Sequence, residues 1–547
     1  MSSSKRTRSW WGWGYDDESL SNEEIDSLAQ MLKGSFQGWS PRRVDPLDPQ
    51  DLSLPQPRIS APSSLAPVVS DSPRDRAAHA YGCSYRDVLR ALRGQIDHPP
   101  DLIARPTCEQ EVVEILDWCA SAGIAVIPYG GGTSVVGGVE PDVGERYRGT
   151  VTLDLEKLGR VLEVDELSRA ARIEGGALGP VIEDVLRPSA MTLRHFPQSF
   201  ECSTLGGWIA TRAAGHFATG PTHIDDLVES VRVVTPVGVV ETRRLPASGA
   251  GPSPDRLFLG SEGTLGVITQ AWLRIRPRPI WRSGGAVRFA SFESGVSAAR
   301  ALSQSGLEPS NCRLIDPVEA MLSGAGDGSA AILVVGFESA DHPVDSWASR
   351  ALEIVKDHAG VPSESWQSKS SSSSSSDIPA DSSGQSDEAG RWKKSFLKAP
   401  YLRDAMVRLG MITETFETAI TWERFETLHA AVTSAVTDGL NEAQASGGLI
   451  TCRFTHLYPD GPAVYFTVIA PARRGVELEQ WDLIKGAAAG AVMSAGGTIT
   501  HHHAVGRDHL PWYDKQRPEL FASSLRAVKS TLDPAGICNP GVLLESQ

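Results

Sequence analysis

Cysteine is scarce. Seven occur in 547 residues, at positions 83, 108, 119, 202, 312, 452 and 538, an odd count with no Cys-x-x-Cys pair. That spacing excludes a disulfide scaffold and a zinc ribbon, and it fits a reducing compartment. No run of 18 apolar residues occurs, so no membrane-spanning helix is expected. Residues 1–30 lack a continuous apolar core, so no signal peptide is expected. The C-terminal Glu-Ser-Gln is not a peroxisomal address, and a cytoplasmic protein is the simplest expectation. Positive charge is also short: 52 Lys and Arg stand against 67 Asp and Glu, a net charge of -15. This argues against bulk nucleic-acid binding, which needs a basic footprint. One basic cluster, Lys5, Arg6 and Arg8, runs straight into Trp10, Trp11 and Trp13. Such an edge can touch a membrane surface. The plainer expectation is a terminal segment whose tryptophans anchor it to the body.

What is present is an ordinary globular composition, 41% hydrophobic and 22% charged, in a chain long enough for three or four domain-sized units. A short helix is predicted near 21–33. A Pro-, Ser- and Asp-rich arm follows over 36–78, then a helical stretch over 79–96. From Ile103 to Arg276 the pattern is α/β. CEQEVVEILDWCASAG has apolar residues at helical spacing. IAVIPYGGGTS is a buried strand entering a glycine turn, TVTLDLEKL alternates as a strand, and GPVIEDVLRP starts a helix. From about 283 to 460 the candidate strands are AVRFA, SNCRLID, AAILVVGFE, GLITCRFTHLY and AVYFTVIAPA, which makes an α+β unit on one sheet. The serine-rich run 368–390 cannot bury anything and is expected to be a disordered surface insertion.

The strongest chemical signal is PYGGGTSVVGG. Its candidate ligand-binding residues are Pro128, Tyr129, Gly130, Gly131, Gly132, Thr133 and Ser134. Consecutive glycines after a buried strand let backbone N–H groups approach a pyrophosphate. The spacing is neither a Walker loop nor a Rossmann fingerprint. A second glycine–hydroxyl loop, FPQSFECSTLGGWIATRAAG, contributes Gln198, Ser199, Phe200, Glu201, Cys202, Ser203 and Thr204, then Thr211, Arg212, Ala213 and Ala214. A third, LGSEGTLGVIT, contributes Glu262, Gly263, Thr264, Leu265, Gly266, Val267 and Ile268. Three such loops in one α/β region suggest a long cofactor that carries phosphates.

Together these loops resemble the flavin domain of the vanillyl-alcohol-oxidase-type (PCMH-type) FAD proteins. The resemblance implies FAD along all three loops. It implies non-covalent FAD, because the tip Tyr129–Thr133 carries no histidine. WWGWGYDDE, HIDDLVESVRVVTPVG, CRLID, PYLRD, TCRFTHLYPDGPAVYF and ITHHHAVGRD narrow the likeness: nearly the whole chain resembles the alkyldihydroxyacetonephosphate synthase (alkylglycerone-phosphate synthase) family. The implied fold is α+β and two-lobed. It has an FAD-binding domain over 97–280, a cap or substrate domain over 281–499, a segment over 500–547 that completes the flavin site, and an N-terminal helical appendage and arm over 1–96. The implied reaction replaces the acyl group of acyl-dihydroxyacetone phosphate with a fatty alcohol. It is redox neutral and uses a bond between flavin N5 and the substrate carbon. The implied partners are these lipid substrates and a second copy of the chain in a homodimer.

By the same resemblance, Tyr465 is the acid–base tyrosine and Arg403 the substrate-binding arginine, whose planar fork suits a phosphate. Arg313 and Arg453 are further candidates; each lies in mid-strand, where an arginine needs a partner. The triplet His501, His502 and His503 admits three readings. A zinc site needs ligands from elsewhere, and none is visible nearby in the sequence, so no metal is expected. Hydrogen-bonded structural histidines are the second reading. The third, favoured by the resemblance, is acid–base groups beside the flavin, with His502 and His503 nearest it. On a strand, His501 and His503 would share one face. His216 and His223 are expected to shape a loop, Trp422 and Trp512 to pack, and Asp225–Asp226 to cap an element. Two other functions stay open: an FAD-dependent 2-hydroxyacid dehydrogenase of the D-lactate or glycolate type, and a non-catalytic flavin- or lipid-binding protein.

Overall fold

A computed structural model describes residues 6–545 apart from 218, 222, 365, 371–387 and 446. Leu102–Ala104, Thr150–Asp154 and Ala125–Tyr129 form a small parallel sheet, edged by antiparallel Val69–Ser70. The helix Glu109–Ala122 covers it through Val112, Ile115, Leu116 and Cys119. It ends at Gly123, whose φ of 65° is the left-handed stop that glycine takes without strain. A five-stranded antiparallel sheet follows in the order Val161–Asp165, Ala170–Glu174, Val267–Arg274, Val228–Thr235, Gly238–Glu241. The C-terminal chain returns to this lobe. Ile537 accepts from the amide of Val126 at 2.8 Å, and Asn539 donates to the carbonyls of Gly138 and Glu262.

The second lobe is built on an eight-stranded antiparallel sheet. At one end of its order lie Asn311–Ile315, Leu449–Leu457, Pro462–Pro471 and, as the edge, Met411–Ala419. Side chains on a strand alternate between faces. Ile412, Phe416, Cys452, Phe454, Val464, Phe466 and Val468 point into the large core beneath the helices Phe425–Glu442 and Glu477–Ala495. The alternate residues face the other way and build a site.

Several elements depart from the sequence reading. Residues 79–96 hold only the helix Tyr85–Leu92. The capping box of Ser84 and Asp87 starts it late, because Cys83 is held by the carbonyl of Ser134 in the first glycine loop. The strand Met411–Ala419 was not anticipated, since its cleft-side face reads Thr-x-Thr-x-Glu and only Ile412 and Phe416 mark the core face. The N-terminal helix, Asn22–Ser35, is packed into the body: Ile25, Ala29, Leu32 and Phe36 meet Ala405, Leu409, Met411 and Ile469. Trp10 and Trp13 are buried, and Arg8 donates to the carbonyl of Gly130 at 2.9 Å. Of the serine-rich run, 368–370 belong to the strand Gln367–Ser370 and 388–390 open the helix Glu388–Leu409. The rest, and Lys5, lie outside the described residues.

Candidate active site

The three glycine loops meet along one cleft of about 440 Å³ that runs between the lobes. That is within the range of an ordinary small-molecule site. Pro128 to Ser134, Gln198, Ser199, Ser203, Thr204, Thr211, Ala213, Ala214, Glu262, Gly263, Gly266, Val267 and Ile268 line it. Glycine is required at 131: a Cβ there would strike the carbonyl oxygen of Cys202 and sit 2.8 Å from the Ser203 Cα. The Thr204 hydroxyl is buried without a protein partner and lies beside Gly130. A buried hydroxyl of this kind needs an acceptor or donor from a ligand. These features fit the phosphates and polar chain of FAD.

Six residues expected on this wall are turned from it. Phe200 stacks on Trp208 in the core, and Leu265 lies in the same core. Cys202 is buried behind Gly131 and shapes the loop through its carbonyl. Glu201 is exposed. Arg212 is on the surface, paired with Asp225 at 2.7 Å, and the Thr264 hydroxyl donates to the Ser261 carbonyl. Glycine-loop patterns identify the backbone that passes the ligand and do not resolve which side chains face it.

The opposite wall is the sheet. Thr413 and Thr415, Thr451, Arg453 and Thr455, and Tyr465, Thr467 and Ile469 line the cleft from three neighbouring strands. Tyr465 pairs across the ladder with Arg453 on one side and Glu417 on the other, so the three share a face. The Arg453 guanidinium lies 3.8 Å from the centre of the Tyr465 ring, a contact of about 0.5–2 kcal/mol, and pairs with Glu319 at 2.8 Å. Burial lowers its pKa, but Glu319 and Tyr465 more than offset this and raise it overall. Arg313, fully buried, donates to the carbonyl of His216 at 2.7 Å. Burial, with Arg453 nearby, pulls its guanidinium down to about 9. Arg403 projects from the helix Glu388–Leu409 on the face it shares with Ala399, Leu402 and Met406. It bonds to the Cys83 carbonyl and lies over Trp13. All three predicted arginines and Tyr465 therefore meet in one cleft.

The histidine triplet is not on a strand. It forms a turn whose backbone wraps a buried carboxylate. Glu417 accepts the amides of His501 (2.7 Å), His502 (3.0 Å) and His503 (3.0 Å) and the Thr500 hydroxyl (2.7 Å). Consecutive N–H groups converging on one anion override strand alternation. His502 and His503 line the cleft and His501 does not. The Tyr465 and His503 rings meet edge-on at 5.5 Å. Burial holds the His502 imidazole near 3, and keeps His501 and His503 well below their ordinary value.

The fold also brings partners that sequence separation hides. His501 Nδ1 lies 3.0 Å from His502 Nδ1. Its Nε2 lies 2.8 Å from the Tyr458 hydroxyl and 3.1 Å from His223 Nε2. A β-bulge between Phe454 and His456 re-aims the strand so that Thr455 and His456 both reach the cleft. His456, His501 and His502 have nitrogens within 4.8 Å of one another. Both ring nitrogens of His456 are hydrogen-bonded: Nε2 is 2.8 Å from the Gly215 carbonyl, and Nδ1 3.1 Å from Thr455 Oγ1. Glu417, Glu319, His456, Tyr458, Trp13 and the apolar wall of Leu28, Met31 and Leu32 were all missed from sequence. The alternation Thr413–Thr415–Glu417 was the one available signal. His216 lines the cleft, Trp422 packs on Phe454, and Asp225 pairs with Arg212 and Arg256.

Comparison with known proteins agrees with this geometry. Residues 100–243 match the FAD binding domain family, and 278–543 match the C-terminal domain of FAD linked oxidases. An alkyldihydroxyacetonephosphate synthase of Trypanosoma brucei brucei is 32% identical over 479 residues, covering 86% of this chain and 77% of the relative. One of Dictyostelium discoideum is 29% identical, covering 88% and 79%. A solved alkyldihydroxyacetonephosphate synthase superposes with a TM-score of 0.78 at 26% identity, over 97% of this chain and 98% of the other. The cofactor of the cleft is FAD. With its glycine loops on one wall and Tyr465, the arginines and the histidine turn on the other, the chain belongs to the alkyldihydroxyacetonephosphate synthase family.

Proposed function

We propose that the protein forms an ether bond by exchanging the acyl group of acyl-dihydroxyacetone phosphate for a fatty alcohol, with no net oxidation or reduction. The convergence of Tyr465 with Arg313, Arg403 and Arg453 in one cleft that also has an apolar lining carries this reading. A phosphate needs cations in a planar, hydrogen-bonding form. Arg313 and Arg403 supply them, and an anion in the cleft offsets the burial that pulls Arg313 down to about 9. A hydrocarbon chain needs an apolar wall at about 0.8 kcal/mol per buried methylene. Leu28, Met31, Leu32, Leu322, Met406 and Ile469 provide one.

Tyr465 moves the proton at the substrate carbon. Arg453 holds the phenol ring in place from below, and Glu319 holds Arg453. His502 and His503 face the same space as neutral imidazoles and accept or return a proton there. The loops Pro128–Ser134, Gln198–Thr204 and Glu262–Ile268 hold FAD without a covalent link, and the flavin ring supplies an electron-accepting centre for the substrate carbon. Met31, 59% exposed at the mouth of the cleft, suits chain entry from a lipid surface, tested by co-flotation with vesicles. A homodimer completes the reading, tested by light scattering.

The deciding experiment follows the flavin spectrum and the lipid product of the purified protein. Acyl-dihydroxyacetone phosphate is expected to bleach the flavin without oxygen uptake, and added fatty alcohol to yield the ether. Bleaching by D-lactate, with silence toward the phosphate ester, would overturn the reading in favour of a 2-hydroxyacid dehydrogenase. Tyr465→Phe should keep FAD and lose about a hundredfold or more in exchange rate; a normal rate would reject its role.

A further inference from the structure

The need for a proton exit rests on the exchange reading, because that reaction has a proton balance. The C1–O bond to the acyl group breaks, and its electron pair leaves on a carboxylate. The C1–O bond to the alkyl chain forms from the alcohol oxygen. Near neutral pH a carboxylic acid is ionised, so the alcohol's hydroxyl proton has no place in the products. One proton must leave a buried site at each turnover. Tyr465 is 6% exposed and offers no direct contact with bulk water on that scale.

A continuous chain of exchangeable hydrogen bonds leads away from the cleft. It begins at His502, which lines the cavity with its ring 6.5 Å from that of Tyr465. It passes from His502 Nδ1 to His501 Nδ1 at 3.0 Å. It crosses the His501 ring to Nε2, which reaches Tyr458 at 2.8 Å and His223 at 3.1 Å. Tyr458 and His223 are themselves 3.1 Å apart. His223 is the last member able to relay a proton: its Nδ1 donates to the Arg212 carbonyl at the surface, at 3.2 Å, and exchanging that bond for one to water releases the proton. Tyr458 and His223 are half-buried and lie outside the cavity lining.

We propose that His501, Tyr458 and His223 form the proton exit of this enzyme, linking His502 in the cleft to solvent at the His223 loop. A neutral imidazole donates from one nitrogen and accepts at the other, so it passes a proton by exchanging tautomers. Burial keeps His501 and His502 neutral, and lowers His223 as well. The surrounding charges are placed to hold the chain and not to end it. Glu417 lies 3.8 Å from His501 Nδ1 and 3.4 Å from His502 Nδ1, with its oxygens taken up by backbone amides. The His456 ring is 5.0 Å from that of His501. Arg453 and Arg313 act on His502 from the sheet, and Asp225 and Arg212 flank His223. His501 uses both ring nitrogens, one toward His502 and the other toward Tyr458 and His223, and does not line the cleft itself.

The test uses the FAD-loaded full-length protein in weak buffer, with product and indicator-dye proton release followed together. The wild type is expected to release one proton per ether formed. The double variant His223→Gln/Tyr458→Phe should keep its flavin spectrum and KM but lose about ten- to a hundredfold in kcat, the scale of one acid–base group. Free imidazole at tens of millimolar should restore the variant and leave the wild type unchanged. An unaltered kcat, or a loss that imidazole does not repair, would overturn the exit while leaving the exchange reading intact. Stoichiometric bound metal whose removal abolishes activity would also overturn it, because His501 and His502 would then be ligands. A wild type that performs no exchange would remove both readings at once.

Discussion

Glu417→Gln should disable the enzyme without emptying or unfolding it. Glu417 is 2% exposed, and its carboxylate organises the turn at 500–503. Oε1 accepts from the Thr500 hydroxyl at 2.7 Å and from the amides of His501, His502 and His503 at 2.9–3.0 Å; Oε2 takes a second bond from the His501 amide at 2.7 Å. A hydrogen bond to a charged group contributes about 1.5–3 kcal/mol, against about 1 kcal/mol for a neutral one. Glutamine keeps one oxygen and loses the charge, so the bonds at Oε1 each weaken by about 1 kcal/mol. Its NH2 also replaces the acceptor that faces the His501 amide. The three histidine amides alone therefore lose about 3 kcal/mol, which is about a hundredfold in the occupancy of the turn's working position at 1.4 kcal/mol per decade. Steady-state exchange should fall by about ten- to a hundredfold in kcat/KM. The flavin spectrum should be unchanged, and the melting temperature should fall by a few degrees. Glu417→Ala strands three buried amides at about 1–3 kcal/mol each and should lower stability further. A Glu417→Gln enzyme within about threefold of the wild-type rate would refute the claim that this carboxylate positions the histidines.

Two further expectations concern the frame around the site. Gly131→Ala should fold but lose FAD, since its Cβ would push the first loop off the backbone of Cys202–Ser203; yellow protein with normal flavin content would refute the close approach. Stability should fall on acidification. His195, His502 and His509 are pushed down to about 3 by burial, and His456, His501 and His503 also lie well below their ordinary value. Each stabilises fully above the unfolded value near 6.5, and this is lost as pH falls toward the folded value, at up to about 1.4 kcal/mol per unit. Burial acts oppositely on carboxyls, raising Glu262 to about 7 and Asp316, Asp404 and Asp508 to about 6. Their protonation partly offsets the loss on the acid side. The net expectation between pH 7.5 and 5.5 is a loss of a few kcal/mol, read as a falling melting temperature. A flat or rising profile would refute it.

Much of the cap sheet was legible because alternation at period two is a local property. AVYFTVIAPA shows it, and the observed strand Pro462–Pro471 follows it. Met411–Ala419 escaped notice for the same reason: Thr413 and Thr415 face the cleft and Glu417 the histidine turn, which leaves only Ile412 and Phe416 as an apolar stripe. The triplet misled in the other direction. Three like residues on an extended chain imply two faces, but Glu417, more than eighty positions earlier, draws three successive amides to one point. The glycine loops announced a cofactor and its place. They did not show that Phe200 and Leu265 belong to the core, because the direction of a loop side chain is set by what packs behind it.

From its residues alone this chain declares an FAD site, a cap built on one sheet, and a phenol, guanidiniums and imidazoles drawn from motifs far apart. These are local signals: backbone freedom at glycine, alternation along strands, and residue types suited to a phosphate and a mobile proton. The tertiary structure alone decided which of them meet. It folded the N-terminal helix in as a wall of the cleft, set Glu417 beneath the histidine turn, and gathered His223, His456 and Tyr458 around His501. Those choices depend on chain crossings hundreds of residues long, and the free energy of a contact belongs to the pair that makes it and not to either residue.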